Sequence, residues 1–311
     1  MVIVIPDDYQ GATRHLGCLS LLQGHEVRVI QARAQSEEEL AECLVEADAL
    51  VLIRERTRVT ASLLNRLPRL RVISQTGRAG THIDVSACQA RGITILEGKG
   101  SPIAPAELCW ALILAASRRL PAYMSSLQGG CWQDTGDPHL GRVLHGRKLG
   151  IYGLGKIGER MASYGQAFGM KVWVWGREAS REAARNQGYM FAPSREAFFA
   201  ESDVLSLHVR LTTDTRGIIT AADLDLMKPD ALLVNISRAE LIQPGVLVEA
   251  IRRGRPGQAA VDVFEQEPPS SDDPLLHTPN IVATPHLGYV ERDSYEMYFR
   301  VAFENLLRFW G

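Results

Sequence analysis

Twice along its length the chain alternates short β-branched runs with helical patterns, and that alternation leaves few folds open. In the first hundred residues the runs are VIVI from Val2 to Ile5, EVRVI near Val27, ALVLI near Val51, RVIS near Val72 and GITIL near Ile95. Amphipathic stretches separate them, and in SEEELAECLVEA the pair Ser36 and Glu39 predicts a capping box. Strand, helix and strand in succession demand crossover connections, hence a parallel sheet flanked by helices. From Gly129 to Gly146 the run GGCWQDTGDPHLGRVLHG has little periodicity and reads as a surface connection. A second series then begins: KLGIY, KVWVW, DVLSLHV, ALLVNIS, QAAVDVF and NIVAT, each followed by a helical pattern or a turn. The predicted class is α/β with two doubly wound parallel sheets, and 311 residues are enough to give each its own core. The segment from Pro102 to Tyr123 is predicted as one long helix, apolar on most of its circumference, with a face open to a second subunit. An amphipathic segment, 292–309, closes the chain, and periodicity does not place it.

Composition narrows the partners. Thirty-four basic residues against 36 acidic ones leave a formal charge of −2, so no charge excess draws the chain to nucleic acid or an anionic membrane. A small-molecule partner is expected. The longest apolar stretch, Leu108 to Ala116, is about half of what a membrane span requires. The N-terminal MVIVIPDDYQ has acids after its apolar run and no basic segment before it, unlike a secretory signal, so a cytoplasmic protein is expected. Cys18, Cys43, Cys88, Cys109 and Cys131 are odd in number and lack any C-x-x-C pair. They predict buried thiols rather than disulfides or a metal site.

The most specific local signal is Gly153-Leu154-Gly155-Lys156-Ile157-Gly158, a G-x-G-x-x-G lying between a strand and a helix that leads to the next strand. In that context the first glycine makes the turn, the second lets backbone N–H groups approach a pyrophosphate, and the third lets helix and strand pack closely. A dinucleotide is the expected ligand. About 20 residues on, a carboxylate usually holds the adenosine ribose. Here KVWVW runs into Gly176, Arg177 and Glu178, so a guanidinium stands where a 2′-phosphate would sit, and NADP is expected over NAD.

Four motifs in order, LGIYGLGKIG, MKPDALLVNISRAELI, AAVDVFEQEP and TPHLG, resemble the D-isomer-specific 2-hydroxyacid dehydrogenases, and the resemblance covers almost the whole chain. The chain resembles the glyoxylate/hydroxypyruvate reductase or phosphoglycerate dehydrogenase types within that family. The resemblance implies a Rossmann cofactor domain, residues 101–284, inserted into a flavodoxin-like substrate domain formed by 1–100 and 285–311, with substrate in the cleft. It implies hydride transfer between the nicotinamide cofactor and a small 2-oxo or 2-hydroxy acid. Arg238 in NISRA, Glu267 in FEQEP and His286 in TPHLG map onto the family's catalytic residues. The types suit the chemistry: an imidazolium can protonate the carbonyl oxygen, a carboxylate orients and stabilises it, and a guanidinium holds the substrate carboxylate. The same carry-over assigns Asp262 to the nicotinamide carboxamide, His208 and Ser237 to the cofactor edge, and Arg78, Ala79 and Gly80 to the substrate carboxylate. Arg54 lies near substrate in some relatives. The apolar circumference of the 102–123 segment predicts a homodimer through that region.

Several positions depart from the family pattern. Arg210 replaces a common Pro, Ala239 replaces the Gly after the catalytic Arg, and RRGRPGQAA replaces an apolar approach to the DVF strand. Formate-oxidising relatives carry Gln where this chain has Glu267, which points to 2-hydroxy acids. The alternative from another class is a dinucleotide-sensing interaction protein of the C-terminal-binding-protein corepressor kind. Such proteins keep the same three residues, but the long disordered flanks and basic docking region expected of them are missing from this sequence.

Overall fold

The computed structural model describes residues 1–311. Two compact units are present: Met1–Ser101 with Val290–Gly311, and Pro102–Tyr289. Each is built on one parallel sheet. No helix is long and apolar enough to cross a membrane.

In the first unit, β1 (Val2–Ile5), β2 (Glu26–Val29), β3 (Ala49–Leu52), β4 (Val72–Gln75) and β5 (Thr94–Leu96) are ordered β2-β1-β3-β4-β5. Strands β3 and β4 are buried along their whole length, as continuous apolar runs in a covered parallel sheet must be. The strand order reverses at β1, with β2 on one side and β3 on the other. The closing helix, Arg292–Trp310, belongs to this unit: Tyr295, Tyr298, Phe299, Ala302, Phe303 and Leu306 are buried, and Ser74 Oγ in β4 donates to the Ala302 carbonyl at 2.9 Å. The placement that periodicity left open is thus set by an aromatic face meeting a sheet.

The second unit holds β6 (Lys148–Tyr152), β7 (Lys171–Trp175), β8 (Met190–Phe191), β9 (Val204–Leu207), β10 (Leu232–Asn235), β11 (Gln258–Val261) and β12 (Ile281–Ala283), ordered β12-β11-β10-β9-β6-β7-β8. The order reverses at β6, with β7 on one side and β9 on the other. Two apolar clusters cover the two faces: one contains Cys109, Ile113, Ile151, Met161 and Val174, the other Trp173, Phe198, Phe199, Leu205 and Leu233.

Local details depart from expectation in four places. The predicted single helix of 102–123 is two, Ile103–Ser117 and Leu120–Gln128, because Arg119 turns left-handed (φ 55) and Pro121 has no N–H to continue the ladder. At the Ser36 cap, Ser36 Oγ accepts from Glu39 N, but the Glu39 carboxylate reaches Gln35 N rather than Ser36 N, so the box is offset by one residue. Cys18, Cys88 and Cys109 are buried, whereas Cys43 and Cys131 are exposed. Residues 285–289 pack with the second unit, where a buried carboxylate holds them, rather than with the helix that follows.

Candidate active site

Every candidate site residue of the second unit stands on a loop leaving the C-terminal end of a strand, as the doubly wound topology directs. Gly153 follows β6, Gly176 follows β7, His208 follows β9, Arg238 follows β10, Asp262 follows β11 and His286 follows β12.

The glycine loop fits a dinucleotide on geometry. Gly153 has φ 92, and a Cβ on it would come within 2.9 Å of the His208 carbonyl. Gly158 is buried against the loop, where a Cβ would collide with the Gly153 carbonyl. Gly155, by contrast, has nothing within 4 Å of where its Cβ would point, so its outer face is open. It caps the helix Lys156–Ala167, whose first N–H groups lack intrahelical partners and point at that space. Leu154 is buried and its N–H donates to Ser180 Oγ at 3.2 Å, fastening the loop to the helix Glu178–Asn186. Arg177 caps that helix, and Glu178 leans toward Arg181 at 3.8 Å.

His208 is turned inward. Its Nε2 lies 2.9 Å from Ser206 Oγ, which in turn lies 3.3 Å from Cys109 Sγ. Burial pushes its imidazole down to about 3, so the ring is neutral at physiological pH. Nδ1 is enclosed and without a hydrogen-bond partner. The part of His208 that faces the glycine loop is its carbonyl, not its ring. The Ser237 side chain is likewise engaged, donating to the Leu207 carbonyl at 2.7 Å.

Three groups meet at the ends of β10, β11 and β12. His286 Nδ1 lies 2.6 Å from Glu267 Oε2. Burial pushes the Glu267 carboxyl up, but the hydrogen bond and charge of His286, the Phe264 N–H and the charge of Arg238 outweigh it and hold the group below its ordinary value. Glu267 is therefore ionised near neutrality and can only accept, so Nδ1 carries the hydrogen and Nε2 is left for chemistry. Arg238 Nη1 donates to the Ser237 carbonyl at 2.7 Å. Asn235 Nδ2 donates to the Arg238 carbonyl at 2.9 Å and Asn235 Oδ1 accepts from Ser237 N at 3.0 Å, so this buried amide shapes the turn that presents Arg238. Ala239 opens a short 3₁₀ turn, Ala239–Leu241, and needs no positive φ there.

His286 itself has φ 52, a left-handed conformation uncommon for a residue with a Cβ. Asp262 enforces it. This carboxylate is fully buried: Oδ1 accepts from Thr284 Oγ1 at 2.6 Å and Leu287 N at 2.7 Å, and Oδ2 accepts from Gly288 N at 2.8 Å. Burial raises the Asp262 carboxyl above its ordinary range against those bonds and the charge of His286. The residue that the resemblance assigns to the carboxamide is thus also the clamp of the histidine loop. Tyr289, 9 % exposed, sets its ring edgewise against the imidazole, with centroids 5.3 Å apart and planes at 76°. Sequence reading missed Asn235, Thr284 and Tyr289, although each lies within three residues of a motif residue it had singled out.

The substrate residues expected in the first unit stand after β3 and β4. Arg54 is left-handed (φ 53), with its N–H donated to Thr76 Oγ1 at 2.9 Å. Of the loop 78–80, Arg78 is exposed and Ala79 N already donates to Glu97 Oε1 at 2.9 Å.

Two outcomes follow from this geometry. Gly155→Val should leave thermal stability near wild type and weaken dinucleotide binding by roughly tenfold or more, whereas Gly158→Val should lower the melting temperature, because its side chain meets backbone; calorimetry of both variants checks the contrast. The depressed Glu267 value means that its stabilising contribution is complete above the ordinary carboxylate value of 4.5 and is lost as pH falls through the lower folded value. Glu267→Gln should therefore be more destabilising near neutrality than in acid, and the difference from wild type should shrink as pH falls below the ordinary carboxylate value of 4.5, as read from urea midpoints.

Comparison with known proteins agrees with this arrangement. The family description "D-isomer specific 2-hydroxyacid dehydrogenase, NAD binding domain" matches residues 110–288. The chain is 39% identical over 270 residues to a glyoxylate reductase of Aeropyrum pernix, covering 85% of this chain and 80% of that protein. It is 37% identical over 258 residues to a D-3-phosphoglycerate dehydrogenase of Methanocaldococcus jannaschii, covering 83% of this chain but only 48% of that one, so it spans about half the length of that relative. A crystal structure of a phosphoglycerate oxidoreductase from Vibrio cholerae superposes with a TM-score of 0.97 at 54% identity, covering 100% of this chain and 99% of the other. With its strand order, its glycine loop and these relatives, the chain belongs to the D-isomer-specific 2-hydroxyacid dehydrogenase family.

Proposed function

We propose that the protein reduces a small 2-oxo acid to the D-2-hydroxy acid, with NADPH preferred to NADH. The observation that carries the reading is the His286–Glu267 hydrogen bond at 2.6 Å, with the charge of Arg238 acting on the same carboxylate. Gly153, Gly155 and Gly158 would hold a nicotinamide dinucleotide, which would supply the hydride. Protonated His286 donates from Nε2 to the carbonyl oxygen as negative charge develops there. Glu267 keeps the ring in the tautomer and orientation that transfer needs, and stabilises the imidazolium before the proton leaves. Arg238 pairs with the substrate carboxylate, its planar fork suited to two oxygens.

The NADPH preference rests on the end of β7. No carboxylate stands at Gly176, Arg177 is exposed at the start of the next helix, and the one nearby acid, Glu178, is drawn toward Arg181 at 3.8 Å. A 2′-phosphate therefore meets a guanidinium without an opposing carboxylate at the strand end.

Pairing with a second copy of the chain belongs to the same reading. The helix Ile103–Ser117 is largely buried in its own unit, whereas Leu120, Met124, Leu127, Trp132, Leu140 and Val143 are exposed on the helix and loop that follow. Trp132 is 76% and Leu140 78% exposed, an apolar patch of the kind that subunits cover. Trp132→Glu with Leu140→Glu should shift the chain to a monomer in sedimentation equilibrium; wild type already monomeric at micromolar concentration would refute the pairing.

Purified protein should oxidise NADPH faster than NADH with glyoxylate or hydroxypyruvate. His286→Ala should lose turnover by about a thousandfold or more while retaining cofactor binding, consistent with the loss of a general acid. Turnover unaffected by that change, or a faster reaction with NADH, would count against the mechanism or the cofactor choice respectively.

A further inference from the structure

The turn at Gly153 stands between two strand ends of the second unit, and its two sides are held differently. Toward β7 hydrogen bonds hold it: Gly153 N donates to the Trp175 carbonyl at 2.8 Å, and Leu154 N donates to Ser180 Oγ at 3.2 Å. Toward β9 its neighbour is a peptide in close contact. A Cβ on Gly153 would come 2.9 Å from the His208 carbonyl oxygen and 3.2 Å from Val209 Cγ2, so the His208 peptide is the wall on that side. His208 N donates to the Tyr152 carbonyl at 2.8 Å, and β9 itself ends one residue earlier, at Leu207.

The side chain of His208 gives this wall a further hold. Ser206 and His208 are two residues apart along the strand and point to the same face. Nε2 of the ring lies 2.9 Å from Ser206 Oγ, and that oxygen, fully buried, lies 3.3 Å from Cys109 Sγ in the helix Ile103–Ser117. A hydroxyl donates once and accepts twice, so Ser206 serves both neighbours. Keeping the ring inside has a cost. Its Nδ1 is enclosed without a partner, and a buried polar atom left unpaired destabilises a fold, where an apolar side chain would fill the same interior without that loss. Nor does the ring offer charge to a phosphate, because burial keeps it neutral. What the imidazole does supply is a bond at Nε2 that locates its own backbone.

We propose that Ser206 and His208 are positioning residues for the dinucleotide: Ser206 anchors the His208 ring, and the anchored residue sets the wall against which the Gly153 turn is placed to receive the pyrophosphate. The inference rests on the reading of function given above, in which the glycine loop holds a nicotinamide dinucleotide. It assigns the pair to affinity and not to proton transfer. The pyrophosphate is common to NADPH and NADH, so both feel the pair alike, whereas Arg177 bears on the 2′-phosphate alone.

Fluorescence titration of NADPH and of NADH, without substrate, into wild type, Ser206→Ala, His208→Asn and His208→Gln tests this, with melting temperatures to verify folding. A glutamine amide reaches the place of Nε2, and an asparagine amide only that of Nδ1. Ser206→Ala and His208→Asn should weaken binding of both dinucleotides by a similar factor, about fivefold or more, while His208→Gln stays within about twofold of wild type. In steady-state reduction of glyoxylate the loss should fall on KM for the dinucleotide, with kcat kept. Ser206→Ala and His208→Asn proteins that bind like wild type overturn the inference and leave dinucleotide binding standing. Weakening by His208→Gln as great as by His208→Asn overturns the anchoring through Ser206. Weakening confined to NADPH places the effect at the 2′-phosphate and overturns the inference as well. Wild type that binds neither dinucleotide overturns the functional reading, and this inference with it.

Discussion

The second unit turns on a carboxylate that no solvent reaches. Asp262 accepts from Thr284 Oγ1, Leu287 N and Gly288 N, and these three bonds fold the segment after β12 back over the end of β11. A loop held at both flanks can keep His286 at φ 52, where a residue with a side chain does not rest unaided. With the backbone so fixed, Nδ1 falls to Glu267 and the ring edge to Tyr289, leaving a single nitrogen without a structural task. Breaking the clamp would therefore disturb chemistry before it disturbed the sheet.

The same economy of geometry explains why the site sits where it does. Parallel strands end together, and each loop leaving that edge begins at nearly the same height. Arg238, Asp262, Glu267 and His286 come from three neighbouring strands, β10, β11 and β12, so residues far apart in the chain need only short side chains to meet. The glycine loop leaves β6 at the reversal of strand order, where the loops on either side part and a ligand can enter. In the first unit the equivalent edge carries Arg54, Gly77 and Glu97, a polar rim on an otherwise apolar sheet.

Much of this was legible before the coordinates. Strand and helix alternation is a local pattern, and a doubly wound sheet is almost its only packed solution, so the class followed from periodicity and the right-handed crossover. The glycine loop was legible because each glycine answers a separate steric demand, seen here at Gly153 and Gly158. Arg238, Glu267 and His286 were named through motifs, not through any intrinsic mark of catalysis. The helix predicted as one was missed at Arg119 because an isolated left-handed residue has no periodic signature. Cys43 is exposed because the fold turns its helix face outward, and Cys131 because it lies in the loop after the helix Leu120–Gln128.

By itself the amino-acid order determined the two parallel sheets, the glycine loop and the three candidate site residues Arg238, Glu267 and His286, since each is written in short-range spacing or a contiguous motif. Only the tertiary structure decided that the His208 ring turns into the interior, that Asp262 clamps the histidine loop, that Asn235 and Tyr289 brace the site, and that Glu97 takes the Ala79 N–H. Those are pairings between segments brought together by the sheet. Hydrogen bonds and ring contacts act over a few ångströms, and sequence distance says nothing about which distant groups will come that close.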